Sequence, residues 1–343
     1  MPELPLVVND VGRWYAATTL ALGERTGLLA ALLAGGGRAA ELAARAGVDA
    51  HNAMVWADAI VVAGYARVEG ERYLADEEVL GVLRGGLPFD LRAVVELLAP
   101  LGGLLPRVEQ AMRDGAGVAS AEFQATLGAL PERVNGPMYG TFLLDGWIAG
   151  HPELDAALRS GIDVAEIGPG GGEALRLIAA AFPASRFVGY DVDPQQVSRA
   201  NAAAANARLA NLRFEVLDAA QLPPASFDLV CVFDAFHHLG QPTAVLEAIR
   251  VSLRDGGSFL VAESALSGDP TVDASDPSAI LVYGSNLLYC FQEGMTDGGA
   301  GLGATWSGQH LEAFLIEHDF RIAATHVSDA GYVVTRAIPA ARA

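Results

Sequence analysis

The chain has 343 residues, of which 52% are hydrophobic, so it can build packed cores in about two domains. All 22 basic residues are arginines, which excludes P-loop nucleotidases and Schiff-base enzymes because both classes need a lysine amine. The net charge of −19 argues against nucleic acid and anionic membranes as partners, since both bind clustered cations. These totals favour a protein that binds neutral or cationic small molecules.

The two cysteines are too few for a disulfide framework, and Cys231 falls in an apolar run typical of a buried strand. Residues 1–11 carry two acidic side chains and lack the basic region and apolar segment of a signal peptide. Every longer apolar stretch is broken by charge or glycine before the roughly 20 residues that span a bilayer. We therefore expect a cytoplasmic protein without membrane contact.

Residues 1–86 predict a mainly helical domain that ends in a small hairpin. The predicted elements are one helix ending at the glycines of 35–37, helices over 39–46 and 49–63, and hairpin strands over 65–68 and 72–74. This is the element order of a winged helix. The third helix contains two aspartates and no arginine, so it would repel DNA phosphates. The sequence therefore favours packing and homodimerisation as the role of this domain.

Residues 87–150 continue with helical periodicity and are expected to form a linker that lines the pocket of a second domain. Tyr139 and Trp147 lie in an apolar, aromatic cluster near its end. Core packing explains such a cluster most simply, but a helix that faces the second domain can also line a ligand pocket.

Residues 151–343 change to an alternation of strands and helices. The candidate strands are 164–167, 187–191, 212–216, 227–233, 258–263, 320–326 and 331–336. Helix-compatible stretches lie between the first five. This pattern predicts an α/β fold with a doubly wound, Rossmann-like sheet of seven strands, whose ligand binds at the carboxyl ends of the parallel strands.

A glycine-rich loop follows the first of these strands, from Glu166 through Gly168 and Gly170 to Gly172, and leads into a helix. Glycine lets the backbone turn tightly and approach a ligand closely. Glu173 occupies the place of the third glycine in dinucleotide-binding loops, and Glu166 would repel a pyrophosphate but attract a cationic amino group. A nicotinamide-dependent oxidoreductase is therefore disfavoured.

Acidic side chains also follow the next three strands. Asp191 is placed to accept hydrogen bonds from ribose hydroxyls. Asp218, with Ala219, is placed to contact an adenine amino group, and Phe233 with Asp234 ends the fourth strand. A carboxylate after each of four strands predicts a pocket for a nucleoside that carries positive charge, and S-adenosylmethionine has this chemistry.

Five segments, in order and spacing, resemble a class I S-adenosylmethionine-dependent methyltransferase: EIGPGGG, FVGYDVDP, FEVLDAAQLP, FDLVCVFDAFHHL and LRDGGSFLVAES. Three more, ALGERTGLLAAL, FPASRFVGYD and GGAGLGATWSG, are similar to a bacterial two-domain subgroup with an N-terminal winged-helix-like domain. The resemblance implies S-adenosylhomocysteine as product and a last strand that lies antiparallel beside the fifth. The implied cofactor-binding residues are Glu166, Gly168, Gly170, Gly172, Asp191, Val192, Asp218, Ala219, Phe233 and Asp234.

The chain departs from the family pattern at four positions. Glu166 stands where aspartate is usual, Pro169 where cysteine is common, His238 where the subgroup often has an acid, and Tyr289 where histidine is expected. These departures concern the substrate and the reaction more than the cofactor.

Two adjacent histidines, His237 and His238, are the candidate catalytic bases. Methyl transfer to a hydroxyl depends on alignment and gains from a base whose pKa is near neutrality. His237 is the first choice, because similar small-molecule O-methyltransferases carry a basic histidine there. We predict no metal site, because adjacent side chains rarely point the same way and no carboxylate–histidine ligand cluster accompanies the pair in the sequence.

An insertion at 268–307 is long for a connection, and such loops are usually functional. Its apolar middle, 279–291, predicts a helix over the pocket, the glycines of 298–303 predict a hinge or packing turn, and Ser307 is the predicted cap of the next helix. The candidate substrate-binding residues are Tyr139, Trp147, Phe236, Tyr283, Asn286, Tyr289 and Trp306.

The sequence thus predicts a methyltransferase that acts on a small-molecule acceptor such as a secondary metabolite, with O-methylation favoured over N- or C-methylation. A homodimer through the N-terminal domain is expected. Two alternatives stay open: a methyltransferase-like protein that uses the cofactor in another reaction such as cyclisation, and a cofactor-responsive transcriptional regulator.

Overall fold

The computed structural model describes residues 6–85, 87, 89–276, 278–306 and 308–340. The chain divides into two compact units, one formed by Met1–Gly103 with Thr126–Pro137 and the other by Leu104–Ala125 with Met138–Ala343. Residues 87–150, predicted as a linker, contribute helices to both units. Ser307, the predicted helix cap, lies outside the described residues.

The N-terminal part is helical apart from one antiparallel hairpin. Its elements are α1 Leu6–Thr26, α2 Leu28–Leu33, α3 Ala39–Ala46, α4 Ala50–Val62, strands β1 Ala66–Glu69 and β2 Arg72–Ala75, α5 Glu77–Leu80, a 3₁₀ helix Gly81–Arg84, α6 Leu91–Gly103, α7 Leu105–Asp114, α8 Ser120–Leu127 and α9 Leu130–Met138. Asp49 caps α4 by accepting from two backbone N–H groups, as the sequence predicts.

The prediction of one continuous helix up to the glycines of 35–37 is wrong. The structure has two helices there, α1 and α2, which are separated at Gly27. This glycine has φ of +81°, a left-handed conformation that ends α1 and allows α2 to start in a new direction. The resulting core contains Leu29, Leu42 and Ile60, all fully buried. Trp56 joins it and donates its indole N–H to the carbonyl of Thr19.

The second unit, to which α7 and most of α8 also belong, is built on a seven-stranded sheet. Its elements are a π-helix Tyr139–Ile148, α10 Pro152–Ser160, β3 Asp163–Ile167, α11 Glu173–Ala181, β4 Arg186–Asp191, α12 Pro194–Asn206, β5 Leu212–Val216, a 3₁₀ helix Ala219–Gln221, β6 Phe227–Phe233, a 3₁₀ helix Phe236–His238, α13 Pro242–Ser252, β7 Leu253–Ser264, α14 Pro270–Asp273, α15 Ala279–Ser285, a π-helix Asn286–Cys290, α16 Phe291–Gly294, a 3₁₀ helix Thr296–Gly298, α17 Gly308–Glu317, β8 Phe320–Val327 and β9 Tyr332–Pro339.

The strand order is β5-β4-β3-β6-β7-β9-β8, with β3 to β7 parallel. The last strand pairs antiparallel with β7, and β8 pairs with it in turn, so the predicted sheet and the insertion of the last strand are confirmed. The chain leaves β3 in one direction through β4 and β5 and returns to its other side through β6. The order therefore reverses at β3, the place where such sheets bind ligands.

Apolar side chains cover both faces of this sheet, in one core that includes Leu175 and Trp147 and another that includes Phe236 and Leu246. Strands β3, β4 and β6 are buried on both sides, as their continuous apolar runs predict, whereas the edge strands β5 and β8 are partly exposed. Among the residues described above, no helix combines the length and apolar character needed to cross a bilayer.

Candidate functional site

The glycine-rich loop joins β3 to α11 in a conformation that needs its glycines. Gly168, Gly170 and Gly172 have φ of +65°, +52° and +77°, a region that other residues rarely adopt. At Gly172 a Cβ atom would lie 2.4 Å from the ring of Phe214, so no side chain fits. The N–H of Gly170 donates to Oδ2 of Asp191 at 3.2 Å, which ties the loop to the end of β4.

Glu166 lies in β3 with 2% of its surface exposed. One carboxylate oxygen accepts from the backbone N–H of Leu175, whereas Oε2 has no hydrogen-bond partner among the described residues. Burial, with the nearby charge of Asp191, raises the pKa of Glu166 to about 8. An unpaired buried carboxylate oxygen is costly, and a cationic amino group of a ligand would supply its missing donor.

Asp191 is the last residue of β4, and the protein satisfies part of its hydrogen-bonding capacity. Its carboxylate accepts from the N–H groups of Gly170 and Asp193, which leaves lone pairs for further donors. Burial outweighs these two donors and raises its pKa to about 6. Val192, which follows, is largely exposed.

The ends of β5 and β6 carry the remaining residues of the predicted cofactor set. Asp218 is exposed and accepts from the N–H of Ala220, which caps the short helix that begins at the buried Ala219. Phe233 is buried, with its ring centroid 5.6 Å from that of Trp147. Asp234 follows at φ of +53° and accepts from the hydroxyl of Tyr332.

His237 and Glu263 form a buried pair at the ends of β6 and β7. Nδ1 of His237 lies 2.6 Å from Oε2 of Glu263, and Oε1 of Glu263 accepts from the N–H of Phe236. Burial opposes a charged imidazole, but attraction to Glu263, and to Asp234 and Glu293, outweighs it and raises the pKa of His237 to about 9. Because Nδ1 is engaged, Nε2 is the nitrogen left to meet a ligand.

His238 forms a second pair with Glu293 of α16. Its Nδ1 lies 2.6 Å from Oε2 of Glu293, and its ring centroid lies 4.3 Å from that of His237 and 5.3 Å from that of Tyr289. Burial and the charge of His237 oppose its protonation, but Cys290 and Glu293 outweigh both and raise the pKa of His238 to about 10. The two rings thus share one side of the site, although they belong to adjacent residues.

Three of the seven predicted substrate-binding residues lie beside the end of β6. Tyr289 lies against His238, with its ring 4.6 Å from that of Phe123, and Tyr139 donates its hydroxyl to the carbonyl of Phe233 at 3.3 Å. Trp147 is fully buried against the same strand end. These three therefore lie around the polar side chains that follow β6.

The other four are occupied in contacts of their own. Phe236 and Trp306 stack with centroids 5.8 Å apart, within or against the core on one face of the sheet. Tyr283 donates to the carboxylate of Asp273. Asn286 donates to the hydroxyl of Thr305 and accepts from the N–H of Ala304. These hydrogen bonds join two segments of the insertion.

Sequence reasoning missed Glu263, Glu293 and Tyr332. Glu263 could have been predicted, because it is an acidic residue at the carboxyl end of the fifth parallel strand. Asp191 and Asp234 were selected because they have the same kind of position. Nothing in the spacing of Glu293 or Tyr332 relates them to β6, since long connections separate them from it.

Comparison with known proteins finds similarity in sequence and in fold. Residues 165–259 match a family described as a methyltransferase domain. The chain is 30% identical over 134 residues to 27-O-demethylrifamycin SV methyltransferase of Amycolatopsis mediterranei (strain S699), a match that covers 38% of this chain and 49% of that protein. The chain spans about half the length of the curated relatives it matches.

Solved structures match over nearly the whole chain. Mitomycin 7-O-methyltransferase MmcR is 15% identical with a TM-score of 0.68, covering 97% of both chains. The O-methyltransferase NcsB1 from neocarzinostatin biosynthesis, solved with S-adenosylmethionine and 2-hydroxy-5-methyl naphthoic acid, is 16% identical with a TM-score of 0.64, covering 99% of this chain and 100% of that one. At such identities these likenesses concern the fold. Residues 165–259 are therefore similar to a methyltransferase domain, and the chain shares the fold of these solved O-methyltransferases.

Proposed function

We propose that this protein transfers a methyl group from S-adenosylmethionine to a hydroxyl of a small-molecule acceptor. The observation that carries the proposal is the buried Oε2 of Glu166, which has no donor in the described part of the chain and lies at the start of the glycine loop. An ammonium group would complete its hydrogen bonding.

The cofactor-binding residues are those of the sequence prediction. Glu166 accepts from the ammonium group, the loop glycines admit the methionine part, and Asp191 accepts from the ribose hydroxyls with Val192 beside it. Asp218 and Ala219 meet the adenine, and Phe233 with Asp234 closes the site at β6. When bound, the cofactor supplies a methyl group on a positively charged sulfur.

His237 is the base in this proposal. Glu263 holds Nδ1, so Nε2 takes the proton from the acceptor hydroxyl while the site aligns the oxygen with the methyl group. The charge of a bound sulfonium opposes the proton that the unliganded ring holds, which favours the neutral base. His238 is the second candidate for this role, and Tyr139, Trp147 and Tyr289 are the predicted acceptor-binding residues nearest to it.

The test separates cofactor binding from methyl transfer. Isothermal titration with S-adenosylhomocysteine should show one site per chain, and incubation with S-adenosylmethionine and a panel of phenols and other hydroxy compounds should give products heavier by one methyl group in mass spectrometry. Absence of S-adenosylhomocysteine binding would overturn the proposal. A product rearranged without gain of a methyl group would replace it by a cofactor-assisted reaction such as cyclisation.

We further propose that the protein forms a homodimer through its N-terminal domain, a winged-helix-like fold, and works in the cytoplasm. The first helix exposes large apolar side chains, including those of Val11, Trp14 and Tyr15. A second copy of the chain is the occupant that this surface fits, because it removes the same apolar area from water on both sides. Both cysteines are free, in keeping with a reducing compartment.

A further inference from the structure

Three side chains with metal-binding atoms converge beside the proposed catalytic base. The donor atoms of His237, His238 and Cys290 all lie within 4.8 Å of one another. They come from two separate elements, the 3₁₀ helix that follows β6 and the π-helix of the insertion. Such convergence is not a consequence of sequence proximity, since about fifty residues separate the histidines from the cysteine.

The spacing is close to what a tetrahedral ion requires. Zinc binds imidazole nitrogen at about 2.0–2.1 Å and thiolate sulfur at about 2.3 Å, which places neighbouring donors about 3.3–3.6 Å apart. Shifts of at most about 1.5 Å would therefore close the three donors around one ion. His237 and Cys290 are buried, so the ion would be shielded from water.

Carboxylates around the three donors complete the arrangement. Glu263 engages Nδ1 of His237, which leaves Nε2 for the ion in the carboxylate–histidine pattern that orients metal ligands. Nδ1 of His238 lies 2.6 Å from Oε2 of Glu293, so a second carboxylate lies against the histidine pair. Asp234 adds negative charge at 4.8 Å or less from the His237–Glu263 pair.

We propose that His237, His238 and Cys290 bind one Zn²⁺ ion, with Glu293 balancing its charge beside His238. Two imidazoles and a thiolate favour zinc or cobalt over magnesium or calcium, which prefer oxygen ligands. On binding, the Cys290 thiol and the two protonated imidazole rings each lose one proton to solvent, and the ion loses water. The ion then occupies Nε2 of His237, so it inhibits any reaction in which that nitrogen accepts a proton. The site itself does not depend on the proposed methyl transfer.

Cobalt is the probe that tests the cysteine directly. Titration of the purified full-length protein with Co²⁺ should produce a thiolate-to-cobalt charge-transfer absorption that saturates at one ion per chain and that Zn²⁺ displaces. Cys290→Ser should abolish this absorption. Cys231→Ala is the matched control, because Cys231 is buried in β6 outside the cluster and its loss should leave the absorption intact.

Zinc affinity gives a second measurement, by competition with a chromophoric chelator. His238→Asn should weaken Zn²⁺ binding by roughly 10- to 100-fold or more, while circular dichroism and S-adenosylhomocysteine binding report that the variant is folded. The proposal is overturned if the wild-type protein shows no charge-transfer absorption, if Cys290→Ser keeps it, or if His238→Asn binds Zn²⁺ as tightly as wild type. A protein that binds Co²⁺ but not S-adenosylhomocysteine would sustain this inference and overturn the proposed function.

Discussion

Nδ1 of His237 lies 2.6 Å from Oε2 of Glu263, so the ends of β6 and β7 together decide which ring nitrogen faces the ligand. The same glutamate also accepts from the backbone of Phe236, which fixes its own position. In its proposed role as base, His237 would keep its orientation between turnovers, because this buried partner holds the ring.

His237→Ala should lower methyl transfer by roughly 100-fold or more, because a positioned base contributes about that much to such reactions. The measurement is the rate of methylated product by mass spectrometry, on the first acceptor that gives one. Affinity for S-adenosylhomocysteine should stay within a few-fold of wild type. Unchanged turnover would remove His237 from the role of base and direct attention to His238.

The affinity for S-adenosylhomocysteine should rise with pH between about 6.5 and 8. Glu166, whose pKa lies at about 8, holds a proton below that value and must lose it to pair with an ammonium group. Linkage limits the increase to roughly tenfold per pH unit, and the curve should flatten as pH approaches the pKa. Isothermal titration across this range measures it.

Glu166→Gln should remove that pH dependence and weaken binding by roughly 10- to 100-fold, as expected for a lost hydrogen bond to a charged group. Glu173→Gln is the control, since Glu173 follows the loop directly but pairs with Arg176. If the affinity of Glu166→Gln for S-adenosylhomocysteine still rises with pH, another group causes the pH dependence and the proposed role of Glu166 is contradicted.

The loop glycines should differ in how they tolerate a methyl group. Gly172→Ala combines a left-handed φ with a Cβ atom 2.4 Å from Phe214, whereas Gly170→Ala has the same kind of φ and open space within 4 Å. We expect Gly172→Ala to lower the free energy of unfolding by about 1–3 kcal/mol more than Gly170→Ala does, because the added methyl group overpacks against Phe214. Thermal unfolding of both variants measures the difference, and equal melting temperatures would contradict it.

The proposed homodimer should depend on the exposed face of α1. Trp14→Glu places a charge on that face and should convert the dimer to a monomer in size-exclusion chromatography with light scattering. Val62→Ser is the matched control, because Val62 is 89% exposed at the end of α4 and outside α1. A wild-type monomer at micromolar concentration would end the proposal.

Much of the second unit follows from the sequence alone. The predicted strands at 212–216 and 227–233 have the observed bounds, and the others differ by a few residues. Continuous apolar runs bounded by glycine and acid define these elements locally, without reference to distant parts of the chain. The glycine loop and Asp191 were predictable for the same reason.

The polar cluster beside His237 was not predictable in the same way. Glu293 and Cys290 reach His238 only through the path of the insertion, and no local pattern sets how that segment lies over β6. The sequence does not predict the break at Gly27, because leucines occur at helical spacing both before and after this glycine. The periodicity is therefore the same as that of one continuous helix.

Asp234 has a φ of +53°, a left-handed backbone conformation that glycine adopts without strain. Such a conformation costs an ordinary residue about 1–2 kcal/mol. A glycine would relieve that cost but leave the hydroxyl of Tyr332 without its acceptor and take a negative charge from the side of His237. The left-handed bend at Asp234 thus places a hydroxyl acceptor and a negative charge beside His237, which a glycine at the same position would lack.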